Sequence, residues 1–176
     1  MMGDKVQMEN TQKYLLAILV DNKPGVLTHV SSVISRRAFN IESISAGYTE
    51  EPEVTRINIV VSVESDRELE QVVTQLGKLI DVIKIVNLTK LPSIARELVL
   101  IKLKAGKESR ADIKNIVEIF RAKIVDISPE NVVVELTGQQ SKIDGFIDMF
   151  SGYEIIEIAR TGAIALSRGP VPVKEM

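Results

Sequence analysis

The stretch Asp21-Asn22-Lys23-Pro24-Gly25-Val26-Leu27 carries residue types suited to holding a small zwitterion. It stands where a short apolar run, Tyr14–Val20, gives way to residues at helical spacing, so unpaired backbone N–H groups converge there. The positive end of a helix dipole favours an anion such as a carboxylate. Gly25 has no side chain to hold a ligand off the backbone. The Asn22 amide can donate to a carboxylate and accept from an ammonium. The same residues also make an ordinary turn, with a proline start and a glycine spacer. A second amide, Asn40 in Ala38-Phe39-Asn40-Ile41-Glu42-Ser43, reads by itself as a turn asparagine.

Little else in the chain could do chemistry. There is one histidine, His29, and no cysteine, which leaves almost no material for catalytic dyads, thiolate or imidazole metal sites, or disulfides. His29 falls at the edge of an apolar helical face, where a structural role is the default. Glu50-Glu51-Pro52-Glu53 reads as a solvated turn, and Gly162-Ala163-Ile164 matches neither nucleotide fingerprint. The residues thus imply no catalytic group, no metal site and no cofactor held by this chain.

The elements that would position the loop form a pattern that occurs twice. After the Tyr14–Val20 strand, Val26, Val30, Val33 and Arg37 share a face, predicting a helix from about Pro24 to Arg37. A strand from Ile41 to about Thr49 follows, and Ile57, Ile59, Val61 and Val63 alternate with polar residues as a half-buried strand. Ser65 and Glu68 form a capping box for a helix bearing Leu69, Val72, Val73 and Leu76, and Ile80–Leu88 closes the unit. Lys90–Ser93 reads as a linker. The order then repeats: a strand over Leu98–Leu103 and a helix opened by Ser109 and Asp112. A hairpin of Ile124–Ile127 and Val132–Leu136, a helix opened by Ser141 and Asp144, and a strand over Glu154–Ala159 complete it.

Two tandem ferredoxin-like βαββαβ units of α+β class are therefore expected, at residues 13–90 and 95–169. Helices on one face leave the other face of each sheet needing cover, and apolar residues on both faces of Leu15–Val20 suggest a second sheet or protomer. The topology puts Asn22 and Asn40 at opposite ends of one sheet. Two copies related by a two-fold could still bring them to one ligand, which predicts a site at a dimer interface.

Composition narrows the partners. Apolar residues are 45% and charged residues 26% of the 176, a globular balance, and the net charge of −2 gives no footprint for nucleic acid or anionic membrane. No apolar stretch approaches the roughly 18–20 residues that span a bilayer. The polar N-terminus lacks the apolar core of a signal peptide, so a cytoplasmic protein is expected. An RNA-binding module shares the βαββαβ order but needs aromatic residues on its central strands; aromatics are 4% of the chain.

At the residues of the first loop the sequence resembles the ACT domain, the small-molecule sensor of amino-acid metabolism. Ser35-Arg36-Arg37-Ala38-Phe39-Asn40-Ile41-Glu42-Ser43-Ile44 narrows the resemblance to the acetohydroxyacid (acetolactate) synthase small regulatory subunit. Leu79–Ile83, Arg96–Lys102, Arg160-Thr161-Gly162 and Leu166-Ser167-Arg168-Gly169 are similar to the same family. The resemblance implies a non-catalytic subunit that activates a large catalytic subunit carrying thiamine diphosphate, Mg²⁺ and FAD. It also implies feedback inhibition by valine, with leucine and isoleucine as alternative effectors, and ACT domains that pair as a homodimer. Carried onto this chain, the ligand residues become Asn22, Gly25, Val26, Leu27, Asn40 and Ile41, with Val26, Leu27 and Ile41 shaping an apolar pocket. Two positions depart from the family pattern: Ala38 where glycine is frequent, and His29 where arginine is common. A different ACT regulator predicts the same pocket without a tight protein partner.

Overall fold

The computed structural model describes residues 11–36 and 39–176. The polar N-terminal stretch, the expected last helical residue Arg37 and the departure at Ala38 lie outside the described residues. Two βαββαβ patterns follow one another. The first is β1 (Gln12–Asp21), α1 (Val26–Ser35), β2 (Asn40–Tyr48), β3 (Val54–Val63), α2 (Asp66–Leu76) and β4 (Val82–Asn87). The second is β5 (Ser93–Lys104), α3 (Arg110–Phe120), β6 (Lys123–Ile127), β7 (Asn131–Gly138), α4 (Gln140–Asp148) and β8 (Ile155–Arg160). A short strand β9 (Ile164–Ser167) and a 3-10 turn at Val173–Glu175 end the chain. Strand orders β2-β3-β1-β4 and β6-β7-β5-β8, antiparallel throughout, are those of the expected ferredoxin-like units.

Residues up to Ile94 form one compact unit together with Ala163–Met176, and Ala95–Gly162 form the other. The C-terminal tail, which the expected bounds carry with the second unit as far as residue 169, is grouped with the first. In the first unit, alternate residues of the central strands (Leu16, Ile18 and Val20; Ile57, Ile59 and Val61) meet Val26, Val30 and Ile34 of α1 and Leu69, Val72 and Leu76 of α2. Each such aliphatic side chain contributes roughly 1.5–3 kcal/mol by leaving water. In the second unit the core is built the same way from Val99, Ile101, Leu103, Val132, Val134 and Leu136, but an aromatic chain runs through it. Phe146 packs against Phe120 and Phe150 with ring centroids 5.2 and 5.0 Å apart, and Phe150 meets Tyr153 edge-on.

Several local details differ from their sequence-based expectations. α1 starts at Val26, not Pro24, because Gly25 adopts φ 88° and ψ −13° and stands outside the helix as its cap residue. Ser65 does accept from the Glu68 N–H at 3.3 Å, but the Glu68 carboxylate takes the N–H of Glu64, one residue before the position of a reciprocal box. Ser109 does not cap α3 through its side chain: its hydroxyl donates to Gly106 O instead. Ser141 lies inside α4, which opens at Gln140. The expected linker is structured, since Leu88–Lys90 is a 3-10 turn with Leu88 fully buried, and Ser93 already belongs to β5.

Candidate functional site

The β1–α1 loop is held by a matched set of bonds. The Asp21 N–H donates to Asp81 O at 2.9 Å, and the Asn22 N–H to Glu53 O at 2.7 Å. The Asn22 side chain continues the second bond. Its Nδ2 donates to Pro52 O at 2.9 Å and its Oδ1 accepts from the Thr55 hydroxyl at 3.1 Å. The acidic turn between β2 and β3 is therefore the wall against which the loop is braced, a role that its charges alone did not reveal. Each group of the Asn22 amide keeps capacity for one further bond, since an amide has two N–H donors and two lone pairs.

Gly25 is required by its conformation. At φ 88° an L side chain is strained, yet the space where a Cβ would project is open. The helix that follows has no side-chain cap and no acidic residue in its first turn. No side chain of the helix or its cap residue therefore occupies its positive end, and Asn22 to Gly25 before it are exposed. α2 shows the opposite arrangement, with Ser65 accepting from the first turn and Asp66 and Glu68 placed there.

The remaining expected ligand residues divide. Leu27 is 46% exposed at the start of α1 and free to meet a ligand. Val26, by contrast, is 4% exposed and part of the first core, and Ile41 packs against that same core. Both side chains stabilise the unit, Val26 from inside the core and Ile41 from its margin. Of the expected pocket residues, Val26 is thus committed to the core, while Ile41 keeps part of its surface open. Asn40 opens β2, where its Nδ2 donates to Glu42 Oε1 at 3.3 Å. The Glu42 carboxylate also accepts from Ser62 Oγ at 2.6 Å and from Lys13 Nζ at 3.1 Å. The Ser62 hydroxyl first, then Lys13, hold that carboxyl below the usual range. His29 lies 3.5 Å from an Asp81 carboxylate oxygen on the exposed side of α1, a surface contact.

Strand register separates the two amides. Asp21 pairs with Val54 and Asn40 with Ser62, eight positions apart on β3, so roughly 27 Å of strand lies between them. No small molecule reaches both within one chain.

Comparison with known proteins follows the same two halves. The family model for the "AHAS small subunit-like ACT domain" matches residues 16–84, and that for the "small subunit of acetolactate synthase" matches residues 96–169. The acetolactate synthase small subunit of Mycolicibacterium smegmatis is 48% identical over 160 residues, 91% of this chain and 94% of that protein. This chain belongs to the acetolactate synthase small subunit family. The Bacillus subtilis small subunit is 42% identical over 89% of this chain and 91% of its own length. A crystal structure of the small subunit from Thermotoga maritima matches with a TM-score of 0.82 at 40% identity, covering 91% of this chain and 99% of that one. As a small subunit, the chain is the regulatory, non-catalytic component of an enzyme complex whose other component is a large subunit. Among the described residues no helix is long and apolar enough to cross a membrane.

Proposed function

We propose that this chain activates the thiamine-diphosphate-dependent catalytic subunit of acetolactate synthase in the cytoplasm and makes it sensitive to valine. The observation that carries this reading is the β1–α1 loop: a left-handed Gly25 before a helix start with no side-chain cap, braced through Asn22 against the β2–β3 turn. A valine carboxylate would sit on the backbone N–H groups after Gly25, its ammonium against amide oxygen, and its branched side chain against Leu27. Asn40 would come from a second copy. β2 is an edge strand, and antiparallel pairing of two β2 edges reverses their ends, bringing Asn40 of one copy toward the loop end of the other. Homodimerisation through residues 13–90 would thus complete the site, with Ala95–Gly162 as a second unit that carries no equivalent glycine loop.

Valine can inhibit only by binding the inhibited arrangement of the complex more tightly than the active one. A coupling of about 1–3 kcal/mol is the usual scale of such effects. Reconstitution with the catalytic subunit tests the proposal. The wild-type chain is expected to raise acetolactate formation and to impose valine inhibition. Gly25→Asp, which places a negative charge and a strained side chain where the carboxylate should rest, should keep the activation and lose the inhibition. A Gly25→Asp complex inhibited like wild type would overturn the loop as the sensor.

A further inference from the structure

The first unit contains a cavity that none of the six expected ligand residues lines. It encloses about 540 Å³ between the face of the sheet remote from α1 and α2 and the C-terminal tail. Leu19, Val54, Ile83, Leu166, Val171 and Val173 give it apolar walls. That volume is in the range of small-molecule sites.

Arg56 lines the same cavity. Its Nε donates to Asn58 Oδ1 at 3.3 Å and its Nη2 to Ala165 O at 2.6 Å, so a strand neighbour and the tail fix the guanidinium in place. Three of its five N–H groups remain for another acceptor. Among the described residues no carboxylate lies within ion-pair distance of it. Burial lowers its pKa from the ordinary value, and the nearby charge of Glu50 offsets that only in part. Of the two acids at the cavity, Glu51 is already paired with Lys174 of the tail. Glu50 acts on Arg56 only through its field.

A fixed, partly desolvated guanidinium complements an oxyanion, and the apolar walls favour one that carries a hydrocarbon body. We propose that this cavity binds a small aliphatic monocarboxylate, its carboxylate on Arg56 and its hydrocarbon body against Leu19, Ile83 and Leu166. Glu50 at the wall repels di- and trianions, so a monoanion has the fitting charge. The site is separate from the β1–α1 loop, so its occupant does not compete with a ligand bound there.

Calorimetric titration of the full chain with 3-methylbutanoate, which lacks an ammonium group, tests the site. Saturable binding is expected, weakened at least about tenfold in Arg56→Gln and partly kept in Arg56→Lys. It should persist in Gly25→Asp, which keeps failure here distinct from failure of the sensor proposal. If Arg56→Gln does not fold, Ile83→Trp, at a position 51% exposed, fills the cavity without touching the guanidinium and should abolish binding. No heat of binding with 3-methylbutanoate up to about 10 mM, or unchanged binding in both Arg56→Gln and Ile83→Trp, would overturn the proposal.

Discussion

The two units brace their first loops with the same backbone bonds and differ in what they leave open. Asp21 N–H to Asp81 O (2.9 Å) and Asn22 N–H to Glu53 O (2.7 Å) in the first unit correspond to Lys104 N–H to Glu154 O (3.0 Å) and Ala105 N–H to Glu130 O (2.7 Å) in the second. Where the first has the Asn22 amide, the second has the methyl of Ala105. There the turn is gripped by Arg110, whose guanidinium donates to Ala105 O and Ser128 O. A positive-φ glycine precedes α1, while Gly106 in the second loop has no such conformation. One repeat thus carries an amide and a left-handed glycine in its loop, and the other ties its loop to the neighbouring turn through Arg110. The shared bonds are scaffold; Gly25 and Asn22 are the specialisation.

The comparison can be sharpened by disabling one unit at a time. The largest effect should come from Phe146→Ala, which removes the centre of the aromatic chain in the second core and is expected to cost about 3–5 kcal/mol. Urea unfolding should show the loss, while valine binding per folded first unit is retained. Next come paired glycine substitutions. Gly25→Asp should weaken valine binding by about 2 kcal/mol or more, roughly 30-fold, whereas Gly106→Asp should leave it unchanged in the same titration. Smaller again is loss of the loop brace. Arg110→Ala and Asn22→Ala should each lower stability by about 1–2 kcal/mol in thermal unfolding. Only Asn22→Ala should also blunt the valine response.

The smallest effect is a pH dependence. Because the Glu42 carboxyl is held below its ordinary 4.5, its contribution is complete above that value and is lost as pH falls through the lower folded-state pKa. Stability should therefore decline with acid below pH 4.5, and Glu42→Gln should lower stability at neutral pH and flatten that part of the profile.

What the sequence made legible was periodic or local. Alternation in Ile57–Val63 reports which face meets the core, and helical spacing found Val26 and Val30, although Ile34 and not Val33 completes the buried face of α1. What it left illegible depended on partners far along the chain. A valine that follows a glycine loop reads equally as ligand contact or core, and only the packing of α1 on the sheet turns Val26 inward. Asn22 was recognisable as a polar loop residue, but its attachment to Pro52 and Thr55 spans about thirty positions. β9 has four residues, too few for periodicity to register, and nothing local announces that the tail returns to the first unit or that Val173 is buried there. The cavity beside Arg56 was hidden for the same reason, because its two walls are more than one hundred residues apart in sequence.

The most direct test of the sensing loop is calorimetric titration of the purified chain with valine, alongside leucine, isoleucine and an unrelated amino acid, with the mass in solution measured in parallel. The account predicts a dimer that binds valine saturably, at one or two sites per pair of chains, with binding lost in Gly25→Asp. A monomer that binds valine, or a dimer whose valine binding survives Gly25→Asp, would contradict it.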